Sequence, residues 1–260
     1  MTHISVVTVC FNAARTIEHT LRSVEQQSHA QLDHLVIDGG STDGTLDLVR
    51  QFGSRVSSVV SERDEGIYDA MNRGLRRASG EFVIFLNADD QYADRDCVAD
   101  LIHAIDTSGA DSAYGDIAYV RDDARLSRVR HWRSGPYHRG AFIRGWAPPH
   151  PTFLARRDRL LELGGFDLRY RLAADFDLMM RAMDIAGMTA AYVPRQLVLM
   201  RVGGATNASF GNVLRQNMEI IDSLRRAGHP FAGPPMIARK LISRVRQRVA
   251  ARVTARSEPG

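Results

Sequence analysis

The sequence predicts an α/β fold with a mainly parallel central sheet flanked by helices. Two observations carry this. Through the first 120 residues short apolar runs alternate with amphipathic stretches, the pattern of βαβ units. Three of the four strands predicted there end in acids, at Asp38, at Glu62–Asp64–Glu65 and at Asp89–Asp90. In an open parallel sheet the carboxyl ends of the strands are where ligands bind, so the acids gather on one functional rim.

The elements follow in order. Ile4–Val9 reads as a buried strand, and Thr16–Gln27 as a helix with Ile17, Leu21 and Val24 on one face. His34–Asp38 is the second strand, Thr45–Phe52 a helix and Val56–Val60 the third strand. Ile67–Ala78 is a helix stopped at Gly80, Glu81–Leu86 the fourth strand and Arg95–Ile105 a helix. Beyond Asp111 the pattern changes. Ala113–Val120 and Leu126–His131 form a strand pair joined through Arg-Asp-Asp-Ala. A Gly/Pro/aromatic stretch, 134–151, precedes a strand at Thr152–Ala155 and helices at Arg157–Leu163 and Leu172–Ala186. Strands near Ala190–Val193 and Leu197–Arg201 lead to a Gly-rich flexible loop at 203–211. Helices at Phe210–Gly228 and about Met236–Ala255 close the chain.

Composition bounds the function. The 260 residues, 44% hydrophobic and 25% charged, suit a soluble domain with a large core. Two cysteines, Cys10 and Cys97, argue against a disulfide framework or a structural zinc. No apolar run reaches membrane-spanning length, and the first residues enter a strand with no basic leader, so a cytoplasmic location is expected. Neither G-x-G-x-x-G nor G-x-x-x-x-G-K-[ST] occurs, which disfavours dinucleotide-linked hydride transfer and P-loop phosphoryl transfer.

The most informative stretch is Ile84-Phe-Leu-Asn-Ala-Asp-Asp90, an apolar run that stops at two adjacent carboxylates. Two like charges side by side repel unless solvated or bridged by a cation, and a divalent metal carrying phosphates satisfies both. Asp89 and Asp90 are therefore the candidate metal ligands. The alternative is a solvated turn leading into the next helix.

Four segments occur in a fixed order: Thr8-Val-Cys-Phe-Asn12, Asp38-Gly-Gly-Ser-Thr-Asp-Gly44, Asp64-Glu-Gly-Ile-Tyr-Asp-Ala-Met-Asn-Arg-Gly74 and Phe85-Leu-Asn-Ala-Asp-Asp90. Together they resemble the family 2 glycosyltransferases of the GT-A fold, in particular a subset acting in exopolysaccharide, capsule or glycolipid assembly. The resemblance covers residues 3–120 strongly, extends to about 205 and is absent beyond. It implies a nucleotide diphosphate-sugar donor, held by Asn12, Asp38, Gly39, Ser41, Asp64, Asn72, Arg73, Asn87 and Asp89, with Mn²⁺ or Mg²⁺ as the cation. Asp38 would bond the base, and Asp64 with the Tyr68/Asp69/Asn72/Arg73 helix would line the donor pocket. Asp89 matches the last acid of the family's D-x-D motif, whereas Asn87 stands where that motif has its first Asp.

The resemblance also implies a general base at the start of a helix facing the donor. In Arg171-Leu-Ala-Ala-Asp-Phe-Asp-Leu-Met-Met-Arg181 that place falls to Asp175, with Asp177 on another side of the helix. Either acid also suits a helix first turn on dipole grounds alone. Trp146 and His150, just ahead of the acceptor region, are candidate substrate contacts, and Arg201 and Arg215 candidate clamps for the diphosphate.

The expected organisation is a glycosyltransferase domain over 1–205, with a donor half to about 120 and an acceptor half after it. A loop and helix, 206–235, and a basic amphipathic tail, 236–260, follow. In the tail apolar residues recur at 237, 241, 245, 249 and 253 between arginines, which suits either the inner face of an anionic membrane or packing on the domain. It lacks the interleaved aromatics of a nucleic-acid site. The expected reaction is inverting transfer of the sugar to a hydroxyl of a glycan or lipid-linked acceptor. The rivals are a sugar nucleotidyltransferase, which wants a Gly-rich basic loop that residues 10–15 lack, and a catalytically degenerate glycan-binding relative.

Overall fold

Strand β1 (Ile4–Cys10) is buried along its whole length, and its continuous apolar run is what a strand covered on both faces requires. In the computed structural model, which describes residues 2–121, 126–203 and 210–229, it pairs in parallel with β2 (Leu32–Asp38) and β4 (Phe82–Phe85). β3 (Val56–Ser61) adds in parallel outside β2. Helices α1 (Ile17–Glu25), α2 (Thr45–Phe52) and α3 (Ile67–Arg77) make the crossovers. The expected parallel βαβ arrangement of the first half is thus found, with boundaries shifted by up to three residues.

Side-chain alternation sorts the core into two layers. Val7, Val9, Leu35, Ile37, Val83 and Phe85 pack under α3 and α6 (Ala174–Met180). Ile4, Val6, Phe82, Ile84 and Leu86 pack against α4 (Cys97–Ser108) on the opposite face. Gly74 lets α3 lie close on the sheet, because a Cβ there would sit 2.3 Å from Val7 Cγ1.

The second half extends the same sheet with mixed pairing. The order runs β3-β2-β1-β4-β8-β6-β9-β5, and β7 (Arg128–Trp132) pairs with β6 (Ser112–Val120). The short β8 (Leu154–Arg156) bridges β4 and β6 antiparallel and so joins the two halves; α5 (Arg157–Glu162) follows it. Two further features depart from the sequence reading. The strands expected at 190–193 and 197–201 are one strand, β9 (Ala190–Arg201), whose register jumps from Val193 to Gln196 opposite β6. Pro194, which has no N–H for a ladder, falls in that bulge. Asp90–Tyr92, where no strand is expected, is a strand, β5, antiparallel to the end of β9.

Helix α6 continues as one π-helical turn, Arg181–Ile185. Helix α7 (Phe210–Arg226) packs on α6 through Ile220 and Leu224. It also grips the segment before α6: Glu219 accepts the Leu172 N–H at 2.7 Å, and Gln216 donates to the Leu172 carbonyl at 3.2 Å. No helix among the described residues is long and apolar enough to cross a membrane. Residues 122–125 of the hairpin connection, 204–209 of the Gly-rich loop and the tail from 230 lie outside the described residues.

Candidate active site

The carboxyl ends of β1, β2 and β4 meet on one rim, as the sequence predicts. The loops after β1 and β2 are strapped together. Asn12, at φ 48°, accepts the Thr42 N–H with Oδ1 at 3.0 Å and donates its own N–H to Ser41 Oγ at 2.8 Å. Asp43 accepts the Ala14 N–H at 3.0 Å. Asn12 and Ser41 therefore frame the mouth of the cleft. Phe11, which sequence reasoning does not single out, stands 63% exposed beside them. Its signal is an aromatic residue where an apolar run meets a turn.

Asp38, expected to bond the base, is surrounded by donors. Its Oδ2 accepts from Gly40 N (3.1 Å), Ser41 N (2.9 Å) and Ser61 Oγ (2.6 Å), and its Oδ1 from Ser41 Oγ (2.5 Å) and the Cys10 thiol (3.5 Å). A carboxylate has about four acceptor sites, and this one is buried. Donors from its own loop, from β3 and from Cys10 face both of its oxygens. Burial pushes its pKa up, but the bonds from Ser41 and Ser61 outweigh that and hold it below the ordinary carboxylate value. Its work is to shape the loop that carries Gly39.

Over Gly39 lies Asp64. A Cβ at position 39 would meet Asp64 Oδ2 at 2.5 Å, so the carboxylate occupies the space that a side chain would fill. Asp64 Oδ1 is fixed by the Gly66 N–H at 2.9 Å. Asn72 and Arg73, expected in the donor pocket, are used elsewhere. Asn72 is buried and makes a paired bond with the Phe166 backbone, 2.8 Å in each direction. Arg73 pairs with Asp69 at 2.8 Å and donates to the Arg63 carbonyl at 3.1 Å, which pins the loop behind Asp64.

At the end of β4, Asp89 is half-buried on the rim, whereas Asp90 is 2% exposed in β5. Burial, then the Asp89 charge, push the Asp90 pKa well up, against the opposing N–H and guanidinium of Arg201. Asp90 is thus not solvated, and its Oδ2, like Asn87 Oδ1, is buried without a hydrogen-bond partner. The strand register turns it inward, and Arg201 lies beside it. Arg215 pairs along its own helix with Glu219 at 3.1 Å.

Asn87 has a buried Oδ1 with no hydrogen-bond partner; this oxygen and the Asp89 carboxylate, two residues on, are hard donors of the kind Mg²⁺ or Mn²⁺ takes. Among the described residues no three His, Cys, Asp or Glu side chains converge as a metal cage. A cation here would draw its other ligands from diphosphate oxygens and water.

Asp175 opens α6 on the same cleft. Its Oδ1 accepts the Tyr68 hydroxyl at 3.0 Å, and its Oδ2 lies 3.5 Å from His150 Nδ1. Burial, reinforced by Asp175, raises the Tyr68 pKa far above its usual value and keeps the phenol a donor. His150 sits on the 3-10 turn His150–Thr152 after Pro148-Pro149, and its Nε2 is 3.4 Å from Asn87 Nδ2. Burial lowers its pKa, opposed by the Asp175 and Asp89 charges. Beneath them Phe85, Phe153, Leu160, Phe166, Leu178 and Met179 line a cavity of about 20 Å³, too small for a sugar.

Asp177 is structural. Arg181 Nε donates to its Oδ2 at 2.7 Å and Ser223 Oγ to its Oδ1 at 2.7 Å, tying α6 to α7. Trp146 is structural too. Its indole N–H donates to the Ser134 carbonyl at 2.7 Å, and its ring packs among Tyr114, Tyr137 and Phe142.

Comparisons with known proteins bear on the family and the fold. The family model described as "Glycosyl transferase family 2" matches residues 5–162. A PGL/p-HBAD biosynthesis glycosyltransferase of Mycobacterium bovis is 30% identical over 193 residues, 73% of each chain. A putative teichuronic acid biosynthesis glycosyltransferase of Bacillus subtilis, TuaG, is 34% identical over 131 residues, 49% of this chain and 52% of its own. Among solved structures, S. aureus TarS 1–349 in complex with UDP-GlcNAc superposes with a TM-score of 0.67 at 18% identity. It covers 91% of this chain and 69% of its own. The mannosyltransferase PcManGT from Pyrobaculum calidifontis, in complex with GDP-Man and Mn²⁺, gives 0.66 at 21% identity, covering 100% and 76%.

Proposed function

The chain belongs to glycosyl transferase family 2, and from that premise we propose that it transfers a sugar, with inversion, from a nucleoside diphosphate-sugar to an acceptor hydroxyl in cell-envelope glycan or glycolipid assembly. One observation carries the mechanism: Asp175 is held at the start of α6 with Tyr68 on one oxygen and His150 near the other, on the same cleft as Asp89.

The acceptor oxygen attacks the anomeric carbon as the bond to the diphosphate breaks. Asp175 takes the hydroxyl proton, and the diphosphate leaves with the bonding electrons. Tyr68 stays protonated and orients the carboxylate. A divalent cation, when bound, neutralises charge on the departing diphosphate, and Asp89 with Asn87 Oδ1 are the residues that would hold it. For the base, Asp64 over Gly39 supplies an acceptor matched to a ring N–H. This favours uracil, thymine or guanine, and Phe11 offers a ring face to stack on.

Asp175→Asn tests the base. It keeps the side-chain shape and should retain binding of UDP or GDP while losing about 10²- to 10⁴-fold in turnover. Turnover near that of the wild type would remove Asp175 from this role. The basic repeat of 236–256 adds peripheral contact with an anionic membrane. The full chain should sediment with phosphatidylserine vesicles at low salt and release as salt rises; sedimentation indifferent to salt and lipid charge would count against it.

A further inference from the structure

We propose that His150 is a positioning residue for Asp175, and that Asn87 is an amide rather than an acid because it completes His150's hydrogen bonding. The inference rests on the reading of Asp175 as the base.

The side chains form one chain across the cleft: Tyr68 hydroxyl, Asp175, His150, Asn87. The separations are 3.0, 3.5 and 3.4 Å in turn. The imidazole and the base carboxylate are both mostly shielded, at 18% and 23% side-chain exposure. A neutral imidazole has one N–H and one lone pair. With Nδ1 turned to a carboxylate, the proton belongs on Nδ1, and Nε2 must accept. The group facing Nε2 therefore has to be a donor, and Asn87 Nδ2 is one.

An aspartate at 87 would set carboxylate oxygens against the Nε2 lone pair. The substitution at the first place of the D-x-D motif and the histidine before β8 are thus two halves of one arrangement. The amide orientation that serves His150 also leaves Asn87 Oδ1 buried and turned to neither partner.

The ring itself has little freedom. Pro148 and Pro149 enter the turn, and Thr152 closes it by donating to the Pro149 carbonyl at 2.9 Å. Thr152 Oγ1 also lies 3.2 Å from the Gly115 carbonyl on β6. The base is therefore referenced to the sheet through His150 and to α3 through Tyr68. The 3.5 Å contact is long for a hydrogen bond, and such bonds tighten when substrate fills the cleft.

The test is a cycle in the full chain, reading nucleoside diphosphate release from UDP-GlcNAc or GDP-Man, whichever the wild type turns over. Misplacing a catalytic group by about 1 Å costs up to about 10²-fold. His150→Ala should therefore lower kcat about 10- to 100-fold with donor KM within about 3-fold. His150→Asn, whose amide N–H overlays Nδ1, should recover most of it. In an Asp175→Asn background His150→Ala should add less than about 2-fold, because no base is left to position. Asn87→Asp should lower kcat without raising donor KM.

Losses that multiply in the double variant would show His150 acting on substrate and would overturn the proposal while leaving the base assignment intact. A fully active Asp175→Asn would overturn both. A faster Asn87→Asp enzyme would overturn the account of Asn87. Thermal melts separate these effects from loss of fold.

Discussion

Gly39→Ala is a one-carbon probe of donor recognition. The added Cβ would sit 2.5 Å from Asp64 Oδ2, against an ordinary contact of 3.4–4 Å, so the carboxylate must retreat by about 1 Å. The backbone accepts alanine, because Gly39 is not among the glycines with positive φ. The obstacle is the end of one side chain, so the fold should survive with an unchanged melting temperature. What should be lost is the bond proposed from Asp64 to the nucleobase. A hydrogen bond to a charged group contributes about 1.5–3 kcal/mol, which is about 10- to 150-fold in Kd. Isothermal titration with UDP and GDP in the presence of Mn²⁺ reads this directly. Asp64→Ala should lose a similar amount, and the double variant no more than either alone, since both act through one contact. Binding within 2-fold of wild type in Gly39→Ala, or losses that add in the double variant, would refute the assignment of Asp64.

Three further outcomes are expected. Asp89→Ala should abolish the Mn²⁺-dependent part of UDP or GDP binding in the same titration while leaving the melt unchanged, because a rim acid adds little to the core. Asp177→Ala should instead destabilise the fold by about 3 kcal/mol or more, seen as an earlier urea midpoint, because it leaves Arg181 and Ser223 facing a void inside the α6–α7 contact. His34 is buried against Thr8, and burial, with Arg55, lowers its pKa from 6.5 to about 3. The unfolded chain therefore binds a proton below pH 6.5 that the folded chain refuses. Stability is full above that pH and falls towards pH 3, with a loss of about 2–3 kcal/mol at pH 4.5 from this residue. His34→Gln should flatten the difference between urea midpoints at pH 7.5 and 4.5; an unchanged difference would show that His34 is not its source.

The donor half was legible in the sequence because its signals are local. Apolar runs, glycine punctuation and acids at strand ends sit within a few residues of one another, and the rim they imply is present. Asp175 was legible as a first-turn acid, though its partners were not. What stayed hidden depends on distant chain. Asp38 looks like a ligand until Ser61, 23 residues on, and the returning N–H groups of 40 and 41 fill its acceptor sites. Asn72 finds its partner 94 residues away at Phe166. Asp177 is claimed by Ser223, which no helical periodicity predicts. Asp90 turns inward only because β5 adds to the edge of β9, and three residues are too few to announce a strand. In each case a polar side chain that satisfies the loop or core resembles one that waits for a ligand, and only the count of donors already present separates them.

Helix α7 holds Leu172 by both its N–H and its carbonyl, three residues before Asp175, and anchors Asp177 two residues after it. Asp175, the proposed base, is therefore bracketed in sequence by two attachments to α7. A displacement of α7 would act on the segment that carries Asp175, whereas Asp64 and Asp89 lie on the other half of the sheet. Exchanging α7 with that of a relative should accordingly retune the rate of transfer and leave the grip on the nucleotide alone, which makes this helix a place where turnover and donor choice can diverge independently.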